Sequence, residues 1–488
     1  MRNILAIGIF LIALGLVLAL ALNHKPEDPY AFNPPDIQVS ANLINPDGNV
    51  LWISVEGMRP DHMGVYDYEN VTTPRIDSLA SESLVFERCY AQSTDPFKSM
   101  VTMFTSRYPY FYPGDSRTNS GRGFRDLIAD PNLSLVEKIR ESGHTTAAIV
   151  GDSMLDSDFG FGEGFDYYDD KPVTESDGTI RGRNTIETYK AAETWLSRNF
   201  RRPFFMFVNL TKPLGPHNPD PSFLKQLHIL SSYLDSKALG VAADNPRPIN
   251  ALPSYFGKPG EEQSVGNIVR LYDGEIAETD YYVGQLVDLV SRLGIDDNTM
   301  IILSGSQGES LGEHGYYFSN GGSTYRCLSN IPLIIHNPRG SAGRIKDVIE
   351  GIDVMPTIMS YLNIERPEYI SGMNLLQFYK VPSLKRDYPA FCYWDSPSMI
   401  STIRGNYELI NFENKEYKLF QLLNDPAEIH NIYSEDDLAA QELTRLMEVW
   451  TRQNREKSLA NEITDKTGLN SHKPPMTTPP TDVIKAPK

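Results

Sequence analysis

The chain is poor in cysteine and short of basic residues. Its 488 residues include three cysteines, Cys89, Cys327 and Cys392, and no two of them have Cys-x-x-Cys spacing. This pattern predicts buried free thiols rather than a disulfide framework or a zinc site. Its 45 lysines and arginines are outnumbered by 63 acidic residues, which gives a net charge of −18. That deficit argues against a nucleic-acid-binding protein, because phosphate backbones require a basic face.

The amino-terminal segment lacks charge over the length of a bilayer. An uncharged apolar run extends from Ile4 to Leu22, and Arg2 precedes it. The length predicts a single transmembrane helix. The basic residue predicts that the amino terminus stays in the cytoplasm and that the body after His24 is exported. A cleaved signal peptide is the alternative, since Ala19-Leu20-Ala21 resembles a cleavage site. The body is extracytoplasmic in both cases, membrane-anchored through the helix or secreted.

The rest of the chain divides by composition. After the anchor at 1–24, a spacer rich in Pro, Asn and Asp covers 25–47. Short β-rich runs alternate with helical patterns over 48–384, which predicts an α/β domain with a mostly parallel central sheet flanked by helices. Short strands and a last helix predict a smaller C-terminal α+β subdomain over 385–455. The segment 456–488, whose end is rich in Pro and Thr, is predicted to be disordered.

Five runs are candidates for strands of the central sheet. The clearest helix extends from Val269 to Gly294, with apolar residues at helical spacing. Open α/β sheets bind their ligands at the carboxyl ends of parallel strands. The candidate runs are NVLWISV, TTAAIV, PFFMFVNL, TMIILSG and IPLIIHN, which begin at Asn49, Thr145, Pro203, Thr299 and Ile331.

A series of segments carries a family resemblance. The domain opens with NVLWISVEGMRPDHMGVYDYENVTTPRIDSLA, and LGEHGYY, LSNIPLIIHNPRG, GIDVMPTIMSYLNI and EYKLFQLLNDPAEIHNIY follow in order. From about Asn49 to Trp450 the chain resembles the sulfatase family of the alkaline phosphatase superfamily. The resemblance implies an alkaline-phosphatase-like fold and cleavage of sulfate or phosphate esters. Such chemistry takes a nucleophile, an acid for the leaving oxygen and one or two divalent cations.

The resemblance assigns the metal ligands to the loops after two strands. Glu56, directly after the first strand, stands at the family's first acidic ligand position. After the strand that ends at Gly305, the family carries Asp-His or Asp-Asn, whereas this chain carries Ser306 and Gln307. Hard cations prefer carboxylates, and both of these side chains are neutral. The three candidate metal ligands are therefore an incomplete set.

The nucleophile segment also departs from the family pattern, Cys/Ser-x-Pro-x-Arg. An ungapped alignment of STDPFKSMVTMFTSRYP puts Pro96 at the nucleophile position and Met100 at the arginine. Two extra residues make Thr94 the candidate nucleophile, and Lys98 in the same segment is a candidate substrate-binding residue. The alternative is that Thr94 or Asp95 only caps the helix that follows.

Two pocket positions depart as well. Leu214 stands where the family has a pocket histidine, with His217 three residues later, and Gly321 stands where a lysine is expected. His217, and His314 in the matching LGEHG segment, remain candidate substrate-binding residues. Glu309 and Glu313 are candidates to replace lost ligands.

Departures in four loops favour a pseudoenzyme, a non-catalytic sulfatase fold that binds an unknown ligand or protein partner and needs no cofactor. One alternative is an active hydrolase or transferase of sulfate or phosphate esters that uses Thr94, Glu56 and calcium, magnesium or manganese. The other is a purely structural interaction protein. A polar, open pocket above Gly305 would favour a binding protein, and one filled by Met100 and Leu214 would favour a scaffold.

Overall fold

The computed structural model describes residues 37–108, 135–174, 180–215, 217–227, 265–319, 321–367, 370–386, 388–395, 398–412 and 416–467. The predicted membrane anchor, most of the spacer and the last part of the predicted tail lie outside these ranges. None of the helices within the ranges combines the length and the hydropathy that a bilayer span requires.

The described residues form strands and helices throughout. The strands are β1 Asn49–Val55, β2 Leu84–Tyr90, β3 Thr145–Val150, β4 Tyr167–Asp169, β5 Val173–Thr174, β6 Ile180–Arg181, β7 Phe204–Leu210, β8 Thr299–Gly305, β9 Ser310–Leu311, β10 Tyr317–Ser319, β11 Asn330–His336, β12 Gly343–Glu350, β13 Ala390–Asp395, β14 Ser398–Arg404, β15 Tyr407–Phe412 and β16 Glu416–Gln421. The α-helices are α1 Pro74–Ala80, α2 Pro96–Thr105, α3 Leu135–Glu141, α4 Thr185–Asn199, α5 Pro221–Gln226, α6 Val265–Arg292, α7 Arg326–Ser329, α8 Val354–Tyr361, α9 Gln377–Lys380 and α10 Leu438–Thr467.

The central sheet has eight strands in the order β12, β2, β11, β8, β1, β7, β3 and β4. Strand β11 pairs antiparallel with both of its neighbours. The other five pairs are parallel. The predicted mostly parallel sheet is therefore confirmed, and β8, β1, β7 and β3 form its continuous parallel centre.

Strand β1 is buried on both faces of the sheet. Val50 and Trp52 pack into the apolar layer on one side, and Leu51, Ile53 and Val55 pack into the layer on the other side. Helix α6 covers the second layer. Each such side chain contributes about 1.5–3 kcal/mol by leaving water. This two-sided burial explains why the central strands have nearly continuous apolar sequences.

All five candidate runs are strands of this sheet, and β2, β4 and β12 were not among the candidates. Strand β12 lies at one edge, has several partly exposed residues, and alternates charged with apolar side chains. Strand β4, at the other edge, has only three residues. Edge strands need less apolar sequence than central strands because they are less covered, so their pattern was weaker. At the other end of the chain, α10 continues to Thr467, past the boundary expected at residue 455.

The C-terminal subdomain is an antiparallel sheet of β13, β14, β15 and β16 with α10 on one face. Leu409 and Leu419 of the sheet pack with Leu443 and Trp450 of the helix. The ring of Trp450 stacks on Phe391 with 4.8 Å between ring centroids. The opposite face of the sheet packs on the main domain.

A buried arginine connects the two parts. Arg386, which precedes β13, donates through Nη1 to Asp353 at 2.8 Å and through Nη2 to Glu350. The side chains of all three residues are fully buried. Glu350 also accepts a hydrogen bond from the backbone N–H of Phe391 in β13 at 2.9 Å. The end of β12 and the start of the subdomain therefore share one network of charges.

We expect Arg386→Met to destabilise the protein by about 3–5 kcal/mol, because it leaves two buried carboxylates without their positive partner. Urea denaturation of the full-length protein measures the change. The matched control is Arg344→Met, which removes a half-exposed pair with Glu87 at 2.9 Å and should cost less than about 1 kcal/mol. Equal losses in the two variants would contradict the role of Arg386.

Candidate functional site at the carboxyl edge of the sheet

Polar side chains gather where the parallel strands end. Ser306 and Gln307 follow β8, Glu56 follows β1, Asn209 lies near the end of β7, and Asp152 comes shortly after β3. The strands lie side by side and run in the same direction, so these side chains share one edge of the sheet. All except Asp152 are almost completely buried.

Glu56 is held between Asn209 and Asp152. Asn209 Nδ2 donates to Glu56 Oε1 at 2.8 Å, and Asn209 Oδ1 accepts from the backbone N–H of Asp152 at 3.2 Å. Burial, then the charge of Asp152, raises the pKa of Glu56 well above its usual range, and burial raises the pKa of Asp152 as well. The two carboxyl groups lie close enough for the charge of Asp152 to act on Glu56. Two negative charges so close together repel each other, which favours the protonated form of Glu56.

The loop after β8 turns its polar groups inward. The hydroxyl of Ser306 donates to Oε1 of Gln307, and the hydroxyl of Ser99 in α2 donates to the Ser306 carbonyl. Nε2 of Gln307 has no hydrogen-bond partner in the part of the chain that the structure describes. The oxygens that would face a cation are thus engaged with each other.

The residues present do not fit a divalent cation. Magnesium and calcium take six or more oxygen ligands, with carboxylates supplying the charge. Of the three predicted ligands, Glu56, Ser306 and Gln307, only Glu56 carries a carboxyl group. Across the described ranges, no group of three His, Cys, Asp or Glu side chains could hold a metal ion. The structure brings the three predicted ligands together, but they supply too little negative charge to bind a divalent cation.

The start of α2 holds the candidate nucleophile. The hydroxyl of Thr94 donates to the carbonyl of Ser323 at 2.7 Å. Asp95 is the N-cap of the helix and accepts from the backbone N–H of Lys98 at 3.1 Å, with Pro96 as the first helical residue. Both Thr94 and Lys98 are buried. A backbone carbonyl cannot act as the base that an attacking hydroxyl needs, so this contact does not activate Thr94.

Residues without a polar side chain, Met100, Leu214 and Gly321, occupy three positions where the resemblance places polar ones. Met100 is fully buried in α2. Leu214 lies against Gly57, where the backbone has a φ of 71° and a Cβ would lie 3.3 Å from the Leu214 Cα. At Gly321 a Cβ would lie 2.6 Å from the ring of Trp394. These side chains reduce the room and the polarity at the edge of the sheet.

His217 lies between two acidic residues. Its Nδ1 is 2.8 Å from Glu275 of α6, and its Nε2 is 3.3 Å from Glu309 in the loop after β8. Burial alone would lower its pKa, but the two carboxylates outweigh burial and raise the pKa to about 9. The imidazole is therefore positively charged at neutral pH. Glu309 is the counter-ion of His217 rather than a replacement metal ligand.

His314 lies apart from this group. Its ring stacks on Tyr325 with 3.6 Å between centroids. Burial lowers its pKa to about 4, and the charges of Glu313 and Lys418 act on it as well. Glu313 itself accepts a hydrogen bond from Arg59 at 2.6 Å. Neither His314 nor Glu313 joins the residues that gather around Glu56.

Comparison with solved structures defines the class of protein. A protein solved in complex with its substrate, D-glucosamine-2-N,6-O-disulfate, has a TM-score of 0.66 at 19% identity, over 84% of this chain and 98% of its own. The phosphonate monoester hydrolase of Agrobacterium radiobacter has a TM-score of 0.63 at 18% identity, over 84% of this chain and 96% of its own. The chain therefore shares the α/β fold of these two proteins.

Comparison of sequences then gives the family. Residues 48–364 match the family model named Sulfatase, and residues 312–457 match the model for the C-terminal region of N-sulphoglucosamine sulphohydrolase. The uncharacterized sulfatase YidJ of Escherichia coli K12 is 25% identical over 425 residues, 79% of this chain and 82% of that protein. N-acetylglucosamine-6-O-sulfatase of Bacteroides thetaiotaomicron is 24% identical over 492 residues, 83% of this chain and 86% of that protein. The chain belongs to the sulfatase family.

Sequence reasoning missed Asp152 and Asn209. Both were within segments that were recognised, one shortly after the strand TTAAIV and the other inside PFFMFVNL. The signal that finds them is the rule already applied to Glu56 and Ser306, that polar residues at the ends of parallel strands converge. Applying that rule to every predicted strand predicts the whole group.

We expect the imidazole of His217 to stay protonated up to a pH of about 9 and that of His314 to stay neutral down to about 4. Nuclear magnetic resonance of the tag-free protein with labelled histidine follows both rings in one titration. Glu275→Gln should lower the pKa of His217, because it removes one of the two carboxylates, and leave His314 unchanged. A His217 that titrates near pH 6.5 would show that the ion cluster does not form.

Proposed function

We propose that the chain is a membrane-anchored, extracytoplasmic pseudo-sulfatase, a sulfatase-family protein that binds a ligand or protein partner without hydrolysing an ester. The observation that carries the proposal is the loop after β8. There Ser306 and Gln307 are neutral and hydrogen-bond to each other. An ester-cleaving site of this class needs a cation to neutralise developing charge, and neither Ser306 nor Gln307 supplies a carboxylate to bind it.

The nucleophile segment supports the same proposal. The hydroxyl of Thr94 donates to a backbone carbonyl, and Met100 is buried at the position of the family's arginine. The apolar run from Ile4 to Leu22 is the basis for proposing a membrane anchor. Arg2 before it is the basis for proposing that the body is exported. The relative named N-acetylglucosamine-6-O-sulfatase makes a sulfated sugar the first class of ligand to test.

Metal-dependent hydrolysis is the second candidate function, and one observation favours it. Within the described residues, Oε2 of Glu56 has no hydrogen-bond partner by geometry, although its carboxyl group faces that of Asp152. A cation could join these two carboxylates in place of a proton. Metal binding therefore separates the two functions.

The first test is calorimetric titration of Mn²⁺, Ca²⁺ and Mg²⁺ into the full-length protein after treatment with a chelator. We expect no stoichiometric site of micromolar affinity, which corresponds to about −8 kcal/mol, because the described part of the chain contains no group of three His, Cys, Asp or Glu side chains arranged to hold a metal ion. Glu56→Ala serves as the control. A micromolar site that Glu56→Ala abolishes would refute the pseudoenzyme and point to hydrolysis.

The second test restores the family's residues with the double substitution Ser306→Asp and Gln307→His. We expect the variant to gain affinity for divalent cations, because it adds a carboxylate and an imidazole beside Glu56. Hydrolysis of an aryl sulfate should remain absent, because the Thr94 hydroxyl is still bonded to Ser323. The matched control, Ser306→Asn with Gln307→His, adds no charge and should gain less affinity. Turnover by the double variant would mean that the nucleophile is intact.

A further inference from the structure

A second pair of carboxyl groups is buried where the C-terminal sheet meets the main domain. Glu408 lies in β15, fully buried, with Ile403 and Phe420 as its cross-strand neighbours. Those neighbours belong to an apolar cluster that also contains Tyr90 of β2 and Tyr325, which precedes α7. Cross-strand neighbours point to the same face of a sheet. The side chain of Glu408 therefore points from the subdomain towards the main domain.

Glu428 reaches the same place from the loop after β16. Its Oε2 accepts from the backbone N–H of Arg326, the first residue of α7, at 2.7 Å. Its backbone has a φ of 56°, a left-handed conformation that is unfavourable for a residue with a Cβ. The charge of Glu408 acts on Glu428 and raises the pKa of its carboxyl group further than burial does alone. A loop and a strand of the subdomain thus meet a main-domain helix at one pair of acids.

Most oxygens of this pair lack a donor. Both carboxyl oxygens of Glu408 and Oε1 of Glu428 have no hydrogen-bond partner by geometry among the residues that the structure describes, and the buried hydroxyl of Tyr90 has none either. The nearby guanidinium of Arg326 donates to the carbonyl of Pro426 at 3.4 Å. Two charged carboxylates side by side in an apolar interface would repel each other and lose their hydration. A shared proton removes both costs.

We propose that Glu408 and Glu428 share a proton that fastens the C-terminal sheet to the main domain, so that loss of the proton loosens β15 and the loop 422–437. This pair of acids is separate from the site around Glu56, since it is formed by β15 and the loop after β16. It would give the C-terminal subdomain a response to pH near neutrality.

The direction of the response follows from the pKa shifts. Burial raises the pKa of Glu408 to about 7, and burial together with the charge of Glu408 raises the pKa of Glu428 well above its usual range. In an unfolded chain both would titrate near about 4.3. A group whose pKa is raised by folding stabilises the fold fully at low pH and loses that contribution as the pH rises through the folded value. The proton's contribution is therefore complete below about pH 4.3, falls as the pH rises, and is lost above about pH 7.

The surrounding groups do not titrate in that window. Burial raises the pKa values of Tyr90, Tyr325, Cys327 and Cys392 above their usual ranges. The other ionisable neighbours are cations and the exposed Glu416. The two glutamates are therefore the buried members of the cluster that change charge near neutral pH. The charged and titratable groups around the pair are Arg88, Tyr90, Tyr325, Arg326, Cys327, Cys392, Glu416 and Lys418.

Hydrogen exchange of the full-length protein at pH 6 and pH 8, corrected for the intrinsic pH dependence of exchange, tests the proposal. In the wild type, peptides of β15, β16 and 422–437 should exchange about tenfold faster at pH 8 than at pH 6, because pH 6 lies one unit below the pKa of Glu408 and pH 8 lies above it. In Glu408→Gln the change should vanish, because an amide stays neutral. Glu416→Gln, which removes an exposed glutamate of the neighbouring strand, should behave as the wild type.

Three results would overturn the proposal. One is an unchanged exchange rate at pH 8 in the wild type. Another is the same acceleration in Glu408→Gln, which would assign the response to other buried acids such as Glu350. The third is restoration of slow exchange at pH 8 by calcium chloride, which would mean that a cation rather than a proton joins the pair. If Glu408→Gln does not fold, the same measurement is made on Glu428→Gln, which should also lose the pH dependence.

Discussion

A buried carboxyl group is stable only when it is protonated, paired with a positive charge, or bonded to several hydrogen-bond donors. Several clusters in the interior of the protein meet this requirement. His217 lies between two glutamates and is held in its charged form. Arg386 lies between a glutamate and an aspartate at the junction of the two domains. Glu56 and Asp152 face each other and need a proton. Each cluster carries its own neutralising group, and each joins elements that are distant along the chain.

That requirement also explains how a sulfatase fold can exist without a complete metal site. A divalent cation at the carboxyl edge would normally neutralise the acids that converge there. Here the edge has fewer acids, because Ser306 and Gln307 are neutral, and one of the acids that remain, Glu309, is paired with His217. Membership of the family gives the fold, whereas activity has to come from the side chains at the edge.

The sequence predicted those parts of the molecule that depend on local pattern. Central strands were found because both faces are apolar, and convergence of Glu56 with Ser306 followed from parallel strands ending at one edge. The edge strands were not predicted, because β4 has only three residues and β12 is partly exposed. The partners of His217 could not be predicted, since one comes from α6 and the other from the loop after β8, far apart in the chain. Such contacts depend on how helices are placed on the sheet, which spacing does not encode.

The group that neutralises a buried acid determines whether raising the pH stabilises or destabilises the fold. A buried acid that pairs with a cation usually has a lowered pKa and loses its contribution in acid. Burial alone would raise the pKa of Asp169, but the hydrogen bond and the charge of Arg183 outweigh burial and lower it. Burial instead raises the pKa values of Glu350 and Asp280 to about 7, and the pKa of His217 lies at about 9. Each of these raised groups stabilises the fold below its own pKa and loses that contribution as the pH rises. The contributions of Glu350 and Asp280 are therefore lost by about pH 7, and that of His217 is lost by about pH 9.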